Sequence, residues 1–194
     1  MTADSSKARN RLRIIGGEWR SRVVNFADVP DIRPTPDRVR ETLFNWLQAP
    51  IVGARCLDLF AGSGVLSFEA LSRGAKSVLC FELDAKAATA VRTNAVQLKT
   101  ESLQLMQKNA LDWLQTNSSQ QQFDVVFVDP PYAAGFYAPC CRLLQENGWL
   151  APAALVYIEA DQPLDLLTLP EQWRLMKHKR AGAVHYGLCE TGAR

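Results

Sequence analysis

The stretch "CLDLFAGSG", residues 56–64, decides the fold. Its first half is the apolar run of a buried strand, and the two glycines at its end mark a tight turn. The next segment, "VLSFEALSRG" at residues 65–74, has the length and the apolar content of a helix. A strand, a glycine loop and a helix in this order predict the first unit of a parallel sheet that is covered by helices.

The same alternation continues to residue 160. Helical segments ("DAKAATAVRTNAVQL", "ALDWLQ" and a segment around "YAPCCRLLQEN") separate the apolar strand segments "SVLCFEL", "LQLMQ", "DVVFV" and "ALVYIEA". The tail "WRLMKHKRAGAVHYGLCE" has two more strand segments around Gly182, with no helix between them. The sequence therefore predicts an α/β fold with a seven-stranded, mostly parallel sheet that ends in an antiparallel hairpin.

The first 34 residues do not follow this pattern. "RLRII-GG-EWRSRVV" has two alternating segments around Gly16-Gly17, which predicts a small β-hairpin with a two-residue turn. Thr35 as N-cap and Pro36 at the first helical position then predict a helix over "TPDRVRETLFNWLQ". We therefore expect an N-terminal arm at residues 1–34 and a main α/β domain at residues 35–194.

Positive charge is concentrated at the N-terminal end. Residues 1–40 hold nine Lys/Arg and five Asp/Glu, a net charge of +4, whereas the other 154 residues hold thirteen and fifteen, a net charge of −2. Alternate residues of an extended chain share a face, so the arm presents a row of guanidinium groups that suits nucleic-acid phosphates. The arginines predicted to contact RNA are Arg9, Arg11, Arg13, Arg20, Arg22, Arg38 and Arg40. A solvated tail is the alternative for the arm, and surface ion pairs are the alternative for the last two.

Composition excludes several classes of protein. With 47% hydrophobic and 22% charged residues the chain is typical of a soluble globular protein, and it has no apolar run near the roughly 20 residues of a membrane span. Its N-terminus is polar, so we expect a cytoplasmic protein rather than a secreted one. The five cysteines are an odd number without C-x-x-C spacing, which predicts buried reduced thiols. Only two histidines are present, and no metal site is expected.

The glycine loop predicts a cofactor site. The dinucleotide fingerprint G-x-G-x-x-G needs a third glycine where this chain has Ser67, and Asp58 would repel a pyrophosphate. A sulfonium cofactor has no phosphate, and its ammonium group would be attracted by Asp58. Glu82, at the end of the second strand, is placed to accept both ribose hydroxyls. These features favour S-adenosylmethionine over a nicotinamide cofactor. The predicted cofactor residues are Asp58, Ala61, Gly62, Ser63, Gly64, Glu82, Leu83, Asn109 and Ala110.

A second motif, "VDPPY" at residues 128–132, leaves the fourth strand with a stiff backbone. The exocyclic amino group of a nucleobase is a poor nucleophile because its lone pair is delocalised into the ring. Asp129 and the carbonyl of Pro130 could accept its two N–H bonds and aim the lone pair at a methyl donor, with Pro131 stiffening the turn. Tyr132 offers a face for stacking a base. The motif therefore predicts transfer to an amino nitrogen, and a rigid turn with a capping aspartate is the structural alternative.

Methylation of carbon is a further alternative, because "APCCR" contains a Pro139-Cys140 pair and that chemistry uses a cysteine nucleophile. The pair lies within an apolar helical segment rather than on a loop, and Cys141 is beside it. Core packing is the better interpretation, so an amino nitrogen remains the expected target.

Five segments together resemble the bacterial RsmD family, which methylates a guanine N2 of 16S ribosomal RNA: "RIIGGEWRSR", "RPTPDRVRETLFNWL", "CLDLFAGSG", "GVLSFEALSRGA" and "VFVDPPY". The resemblance runs from about residue 11 to about residue 190. It implies a Rossmann-like class I methyltransferase fold that uses S-adenosylmethionine, with a target guanine in a hairpin loop of the small subunit. It also implies that Gly62, Ser63, Gly64 and Glu82 hold the cofactor, that Asn109 lies near its adenine, and that Asp129, Pro130, Pro131 and Tyr132 form the catalytic motif.

Alternatives to this function remain at the level of sequence. An amino-methyltransferase could act on DNA adenine or on a protein glutamine, because the same chemistry serves all three targets. A noncatalytic RNA-binding assembly factor could keep the fold, and a nicotinamide-dependent enzyme would bind NAD instead. We expect a monomer that acts on the assembled small subunit or on an assembly intermediate of it.

Overall fold

The computed structural model describes residues 10–30, 34–116, 121–131 and 135–192. A two-stranded antiparallel sheet at the N-terminus precedes a seven-stranded sheet with helices on both faces. The strands are β1 (Arg11–Arg13), β2 (Val23–Asn25), β3 (Arg55–Asp58), β4 (Ser77–Phe81), β5 (Leu103–Met106), β6 (Phe123–Val128), β7 (Leu150–Ala160), β8 (Trp173–Ala181) and β9 (Val184–Thr191). The α-helices are α1 (Asp37–Trp46), α2 (Val65–Ser72), α3 (Ala85–Leu98), α4 (Ala110–Thr116) and α5 (Tyr137–Glu146).

The large sheet has the strand order β5-β4-β3-β6-β7-β9-β8. Strands β3 to β7 are parallel, β9 pairs antiparallel with β7, and β8 pairs antiparallel with β9. The predicted seven strands and C-terminal hairpin are therefore confirmed. The carboxyl ends of β3, β4, β5 and β6 meet at one edge of the sheet, which we call the carboxyl edge; the opposite edge, where these strands begin, is the amino edge.

Two hydrophobic cores cover the faces of the sheet. One face packs against α1, α2 and α3, and the other packs against α4 and α5. Ile14 and Val24 from the N-terminal hairpin are buried in the first core, so the hairpin packs on the same core as the helices. All five cysteines are buried and free, which confirms the prediction of reduced thiols.

The N-terminal hairpin forms as predicted, but its turn differs. Pairing ends at Arg13 and Val23, so nine residues connect the strands instead of the two glycines. Of these two, Gly17 has a positive φ of 76°, and a Cβ on it would lie 1.8 Å from the Ser72 carbonyl oxygen. The loop packs against the C-terminal end of α2. There the Ser72 carbonyl oxygen accepts a hydrogen bond from the Glu18 amide, and the Ser72 hydroxyl accepts one from the Trp19 amide.

The start of α1 also differs by one residue from the prediction. Pro36 is the N-cap and Asp37 is the first helical residue, whereas Thr35 is buried one position earlier.

None of the helices in the described part of the chain is long and apolar enough to cross a membrane.

Candidate active site

A cavity of about 790 Å³ opens at the carboxyl edge of the sheet. Its wall contains most of the predicted site residues: Asp58, Ala61, Gly62, Ser63, Glu82, Leu83, Asn109, Ala110, Asp129, Pro130 and Pro131. The carboxyl ends of four parallel strands bring these residues together from distant parts of the chain. Gly64 lies just behind the wall at the start of α2, and Tyr132 lies outside the described residues.

The glycine loop after β3 gives the cavity a floor of backbone atoms. Gly62 and Gly64 have positive φ values of 52° and 74°, a region that favours glycine. A Cβ on Gly64 would lie 3.0 Å from both Phe68 and Val91, so a side chain here would force these neighbours to shift. The loop therefore turns sharply into α2 and leaves its backbone open to a ligand.

Asp58 ends β3 and is buried beside the cavity. The Ser67 hydroxyl donates a hydrogen bond to its Oδ2 atom at 2.7 Å. The pKa of Asp58 is raised from 3.8 to about 6, mainly by burial and to a smaller extent by the Glu82 carboxylate, while the hydrogen bonds from Ser67 and the Phe60 amide lower it. Sequence reasoning treated Ser67 only as a missing glycine, whereas the structure shows that its hydroxyl supports the predicted ammonium-binding acid.

Glu82 follows β4 and joins the glycine loop to the next helix. Its Oε2 atom accepts from the Gly62 amide at 2.8 Å, and its Oε1 atom accepts from the Asp84 amide at 2.7 Å. Burial raises the pKa of Glu82, while these amide bonds lower it by a smaller amount. Each carboxylate oxygen has a second lone pair, so the fixed side chain can still accept two bonds from a ligand diol.

The segment after β5 supplies the far wall of the cavity. Asn109 is the N-terminal cap of α4, because its Oδ1 atom accepts from the Leu111 amide at 2.9 Å. This bond orients the side chain and presents its amide nitrogen as the donor end. Leu83 is exposed at the rim and offers an apolar surface beside it.

Asp129 lies at the end of β6, on the opposite side of the cavity from Leu83 and Asn109. In the β6–β7 register Val128 pairs with Ile158, which places Asp129 beside the buried Glu159. Burial raises the pKa of Asp129 well above its usual range, and the carboxylates of Glu159 and Asp58 raise it further. A hydrogen bond from Thr35 acts in the opposite direction. The candidate catalytic acid therefore sits in an environment that penalises its negative charge until a positive group arrives.

Sequence reasoning missed three features of this half of the cavity. Thr35, predicted as a helix cap, lines the cavity instead. The buried Tyr157 hydroxyl donates to Glu159 at 2.8 Å on β7. Phe60 and Phe136 stack with their ring centroids 5.9 Å apart at 19° and also line the cavity. The sequence indicates that these residues lie at strand ends and in loops. It does not show that the fold brings them close together.

The predicted RNA-contacting arginines occupy different environments. Arg11, Arg13, Arg20, Arg22 and Arg38 are exposed, and Arg9 lies outside the described residues. Arg22 donates from Nη2 to the Gln97 carbonyl oxygen at 3.2 Å, near the C-terminal end of α3. Since α3 starts at the carboxyl edge and runs away from it, Arg22 lies toward the amino edge.

The prediction that Arg40 contacts RNA is wrong. Arg40 is fully buried and forms ion pairs with Glu69 at 2.9 Å and with Asp37. Its guanidinium also donates to the carbonyl oxygens of Thr35 and Arg13. Glu69 in turn accepts from the Ile15 amide and from Arg73. Arg40 therefore joins the N-terminal hairpin to α1 and α2 and is not available to a ligand.

The described residues contain no group of three or more His, Cys, Asp or Glu side chains that could hold a metal ion. The polar residues that line the cavity supply carboxylates, backbone amides and hydroxyl groups, together with Asn109 and Lys108.

Comparisons with known proteins agree with this architecture. A family model described as "Conserved hypothetical protein 95" matches residues 12–190. The Escherichia coli (strain K12) protein named ribosomal RNA small subunit methyltransferase D is 42% identical over 193 residues, covering 100% of this chain and 96% of that protein. The protein of the same name from Haemophilus influenzae is 45% identical over 186 residues, covering 95% of this chain and 96% of that protein.

A solved structure from Escherichia coli, of the protein yhhF, has the same fold. It superposes with a TM-score of 0.85 at 42% identity and covers 95% of this chain and 99% of its own. The expected methyltransferase fold is therefore confirmed. By the extent and identity of these matches, the chain belongs to the family of ribosomal RNA small subunit methyltransferase D, whose model is the one described as "Conserved hypothetical protein 95".

Proposed function

We propose that this protein transfers a methyl group from S-adenosylmethionine to the exocyclic N2 of a guanine in 16S ribosomal RNA. One observation carries the proposal: the acid and prolines of the Asp129–Pro131 segment share one cavity with Asp58 and Glu82. A site of this kind joins a cofactor half to an acceptor half. The names of the relatives support small-subunit rRNA as the substrate.

The chemistry of the cavity fits S-adenosylmethionine, which carries two positive groups and supplies an activated methyl group when bound. Asp58 and Glu82 are carboxylates whose pKa is raised by burial, so a positive ligand stabilises their charged forms. Asp58 would hold the ammonium group, Glu82 the ribose hydroxyls, and Asn109 and Leu83 the adenine. An acid at Asp58 would repel the pyrophosphate of a dinucleotide, which makes a nicotinamide cofactor a poor fit.

Asp129 and Pro130 act on the other reactant. The Asp129 carboxylate and the Pro130 carbonyl oxygen would accept the two N–H bonds of the guanine amino group, which directs the nitrogen lone pair toward the methyl group. Pro130 and Pro131 hold this acceptor pair in place through their fixed φ angles. Tyr132 and the stacked Phe60 and Phe136 rings would contact the face of the base.

The transfer itself needs no covalent bond to the protein. S-adenosylmethionine would supply the methyl group directly to the guanine nitrogen and leave as the neutral thioether, and Asp129 or water would accept the proton that the nitrogen loses. Positioning accounts for most of the rate, because the methyl group is already activated. We further propose that the protein acts as a monomer on an assembled small-subunit particle, which would place it in the cytoplasm.

Labelled S-adenosylmethionine tests the proposal. It is offered with naked 16S rRNA, with small subunits from cells that lack this protein, and with duplex DNA, and the product is digested to nucleosides. We expect label in the small subunit as N2-methylguanosine, with less in naked rRNA. Label only in DNA, or label in protein, would contradict the proposed substrate.

A further inference from the structure

The C-terminal hairpin carries an exposed cationic run at the carboxyl edge. Lys177, His178, Lys179 and Arg180 are consecutive on β8, and all four are exposed. We call these residues the β8 basic run. The sequence-based prediction of RNA contacts did not include it, because the chain outside residues 1–40 has a net negative charge.

Strand register fixes where this run lies. Ala160, at the carboxyl end of β7, pairs with His185 of β9, and Ala181 of β8 pairs with Val184. The tip of the β8–β9 hairpin is therefore at the same edge of the sheet as Asp129. In the strand order, β8 is the third strand from β6, so the run is about 14 Å to the side of the Asp129 strand, taking about 4.8 Å per strand.

The two halves of β8 differ in how their charge is compensated. Near the amino edge, Arg174 pairs with Glu190 across the strands at 2.8 Å. The residues opposite the basic run on β9 are Leu188, Gly187, Tyr186 and His185, none of which is acidic. Within the part of the chain that the structure describes, Lys177, Lys179 and Arg180 form no ion pair. The positive charge without an ion-pair partner therefore lies at the end of β8 that shares an edge of the sheet with Asp129.

Edge lysines also serve to prevent strands of other molecules from pairing with an open sheet edge. Charge anywhere along β8 would serve that role. It does not explain why the positive charge is paired with an acid at one end of β8 and unpaired at the other. The placement of Arg22 toward the amino edge strengthens the contrast, because this arginine of the arm lies away from the cavity.

From these observations we propose that the β8 basic run binds the phosphate backbone of the RNA that flanks the target base. The inference rests on the proposed function for the identity of the RNA. It makes the substrate-binding surface two-sided: the cavity holds the base, and the C-terminal hairpin holds the strand beside it. Phosphate contacts of this kind fix register and orientation without reading sequence.

The test compares two triple variants with equal changes in charge. The first is Lys177→Gln, Lys179→Gln and Arg180→Gln. The control is Lys76→Gln, Lys99→Gln and Arg174→Gln, three exposed cations that lie at the amino edge by their positions before β4, after α3 and at the start of β8. Binding of fluorescent 16S rRNA fragments and of small subunits is measured between about 50 and 200 mM salt.

We expect the first variant to bind RNA about 10- to 100-fold more weakly, with the slope of log affinity against log salt reduced by about 2 for three lost single-strand contacts. Its affinity for S-adenosylmethionine and its kcat at saturating RNA should match the parent, and the control variant should keep the parental slope. Equal slopes in all three proteins would overturn the proposal. Weaker binding to the particle with unchanged binding to naked RNA would also overturn it, since an acidic protein would then be the partner.

Failure of the proposed function has a different outcome. If the parent transfers no methyl group to any RNA but the slope difference remains, the surface stands and the proposed reaction is wrong.

Discussion

Two clusters of buried charge are organised in opposite ways. Around Arg40 the charges are compensated, because Arg40 and the fully buried Glu69 pair with each other and with five further groups. Around the cavity, three acids lie together with amide and hydroxyl donors but no partner cation among their described bonds, and the pKa of each is raised: Asp58, Glu82 and Asp129.

The difference separates a structural cluster from a functional one. A buried ion pair with all its hydrogen bonds satisfied fixes geometry, and its charge is not offered to a ligand. Burial and mutual repulsion destabilise the charged form of the acids around the cavity. A cationic ligand that binds beside them can therefore stabilise that form. Reading the two clusters in this way assigns Arg40 to the fold and the three acids to binding and catalysis.

The largest effect is expected from breaking the compensated cluster. Arg40→Met should lower the free energy of unfolding by about 3–5 kcal/mol, because Glu69 then keeps its buried charge without its main partner. Urea unfolding measures this, with Arg38→Met as the control. Arg38 is exposed, so its change should stay within about 0.5 kcal/mol.

A double variant sharpens the test. Arg40→Met with Glu69→Met removes both charges, and it should be more stable than Arg40→Met alone. A loss below about 1 kcal/mol in the single variant, or no recovery in the double variant, would show that the cluster does not hold the fold together as described.

Breaking the uncompensated cluster should lower activity without lowering stability. Asp129→Asn keeps the shape of the side chain but replaces an acceptor oxygen with a donor that faces the substrate amino group. We expect kcat for methyl transfer to fall by about 100- to 1,000-fold, the magnitude found when one preorganised polar group is removed from an active site. Calorimetry should show S-adenosylmethionine binding at least as tight as in the parent, since one source of repulsion with Asp58 is lost.

The same variant separates an enzyme from a noncatalytic assembly factor. If Asp129→Asn retained methyl transfer within tenfold of the parent, the Asp129–Pro131 segment would be a rigid turn rather than a catalytic motif. Restored small-subunit assembly in cells with this inactive variant would assign a second, noncatalytic role to the protein.

The comparison also shows which parts of the molecule were predictable. Strand and helix order, the C-terminal hairpin and the ends of β3, β4 and β6 followed from local patterns, since apolar runs and glycine turns are set by neighbouring residues. Those strand ends then placed Asp58, Glu82 and Asp129 correctly, because parallel strands share one carboxyl edge.

Predictions failed where distant packing decides the outcome. Arg40 occupies an ordinary helix position, and its burial depends on a glutamate 29 residues away. The two-glycine turn was wrong because Gly17 is needed for contact with Ser72, not for a tight hairpin. Thr35 lines the cavity through the packing of the segment before α1, and Glu159 lies beside Asp129 through the pairing of β6 with β7, and the sequence pattern specified neither.

The smallest effect is expected in the pH dependence of stability, and it probes a single acid of the uncompensated cluster. The pKa of Asp58 is about 6 in the folded protein and 3.8 as its ordinary value. Between about pH 4 and pH 6 the folded protein therefore holds a proton at Asp58 that the unfolded chain has released. The free energy of unfolding falls as pH rises through this range, by about 3 kcal/mol for a shift of about two units, and then levels off.

Asp58→Asn should remove this part of the pH dependence, and Ser67→Ala should extend it to higher pH, because the Ser67 hydroxyl lowers the pKa of the acid. Urea unfolding at pH 4, 5, 6 and 7 measures both, and differences from the parent isolate Asp58 from Glu82 and Asp129, whose raised pKa values act in the same direction. A parent and an Asp58→Asn variant with parallel curves would show that Asp58 keeps its charge without a ligand. The contrast between the two clusters would then rest on Glu82 and Asp129 alone.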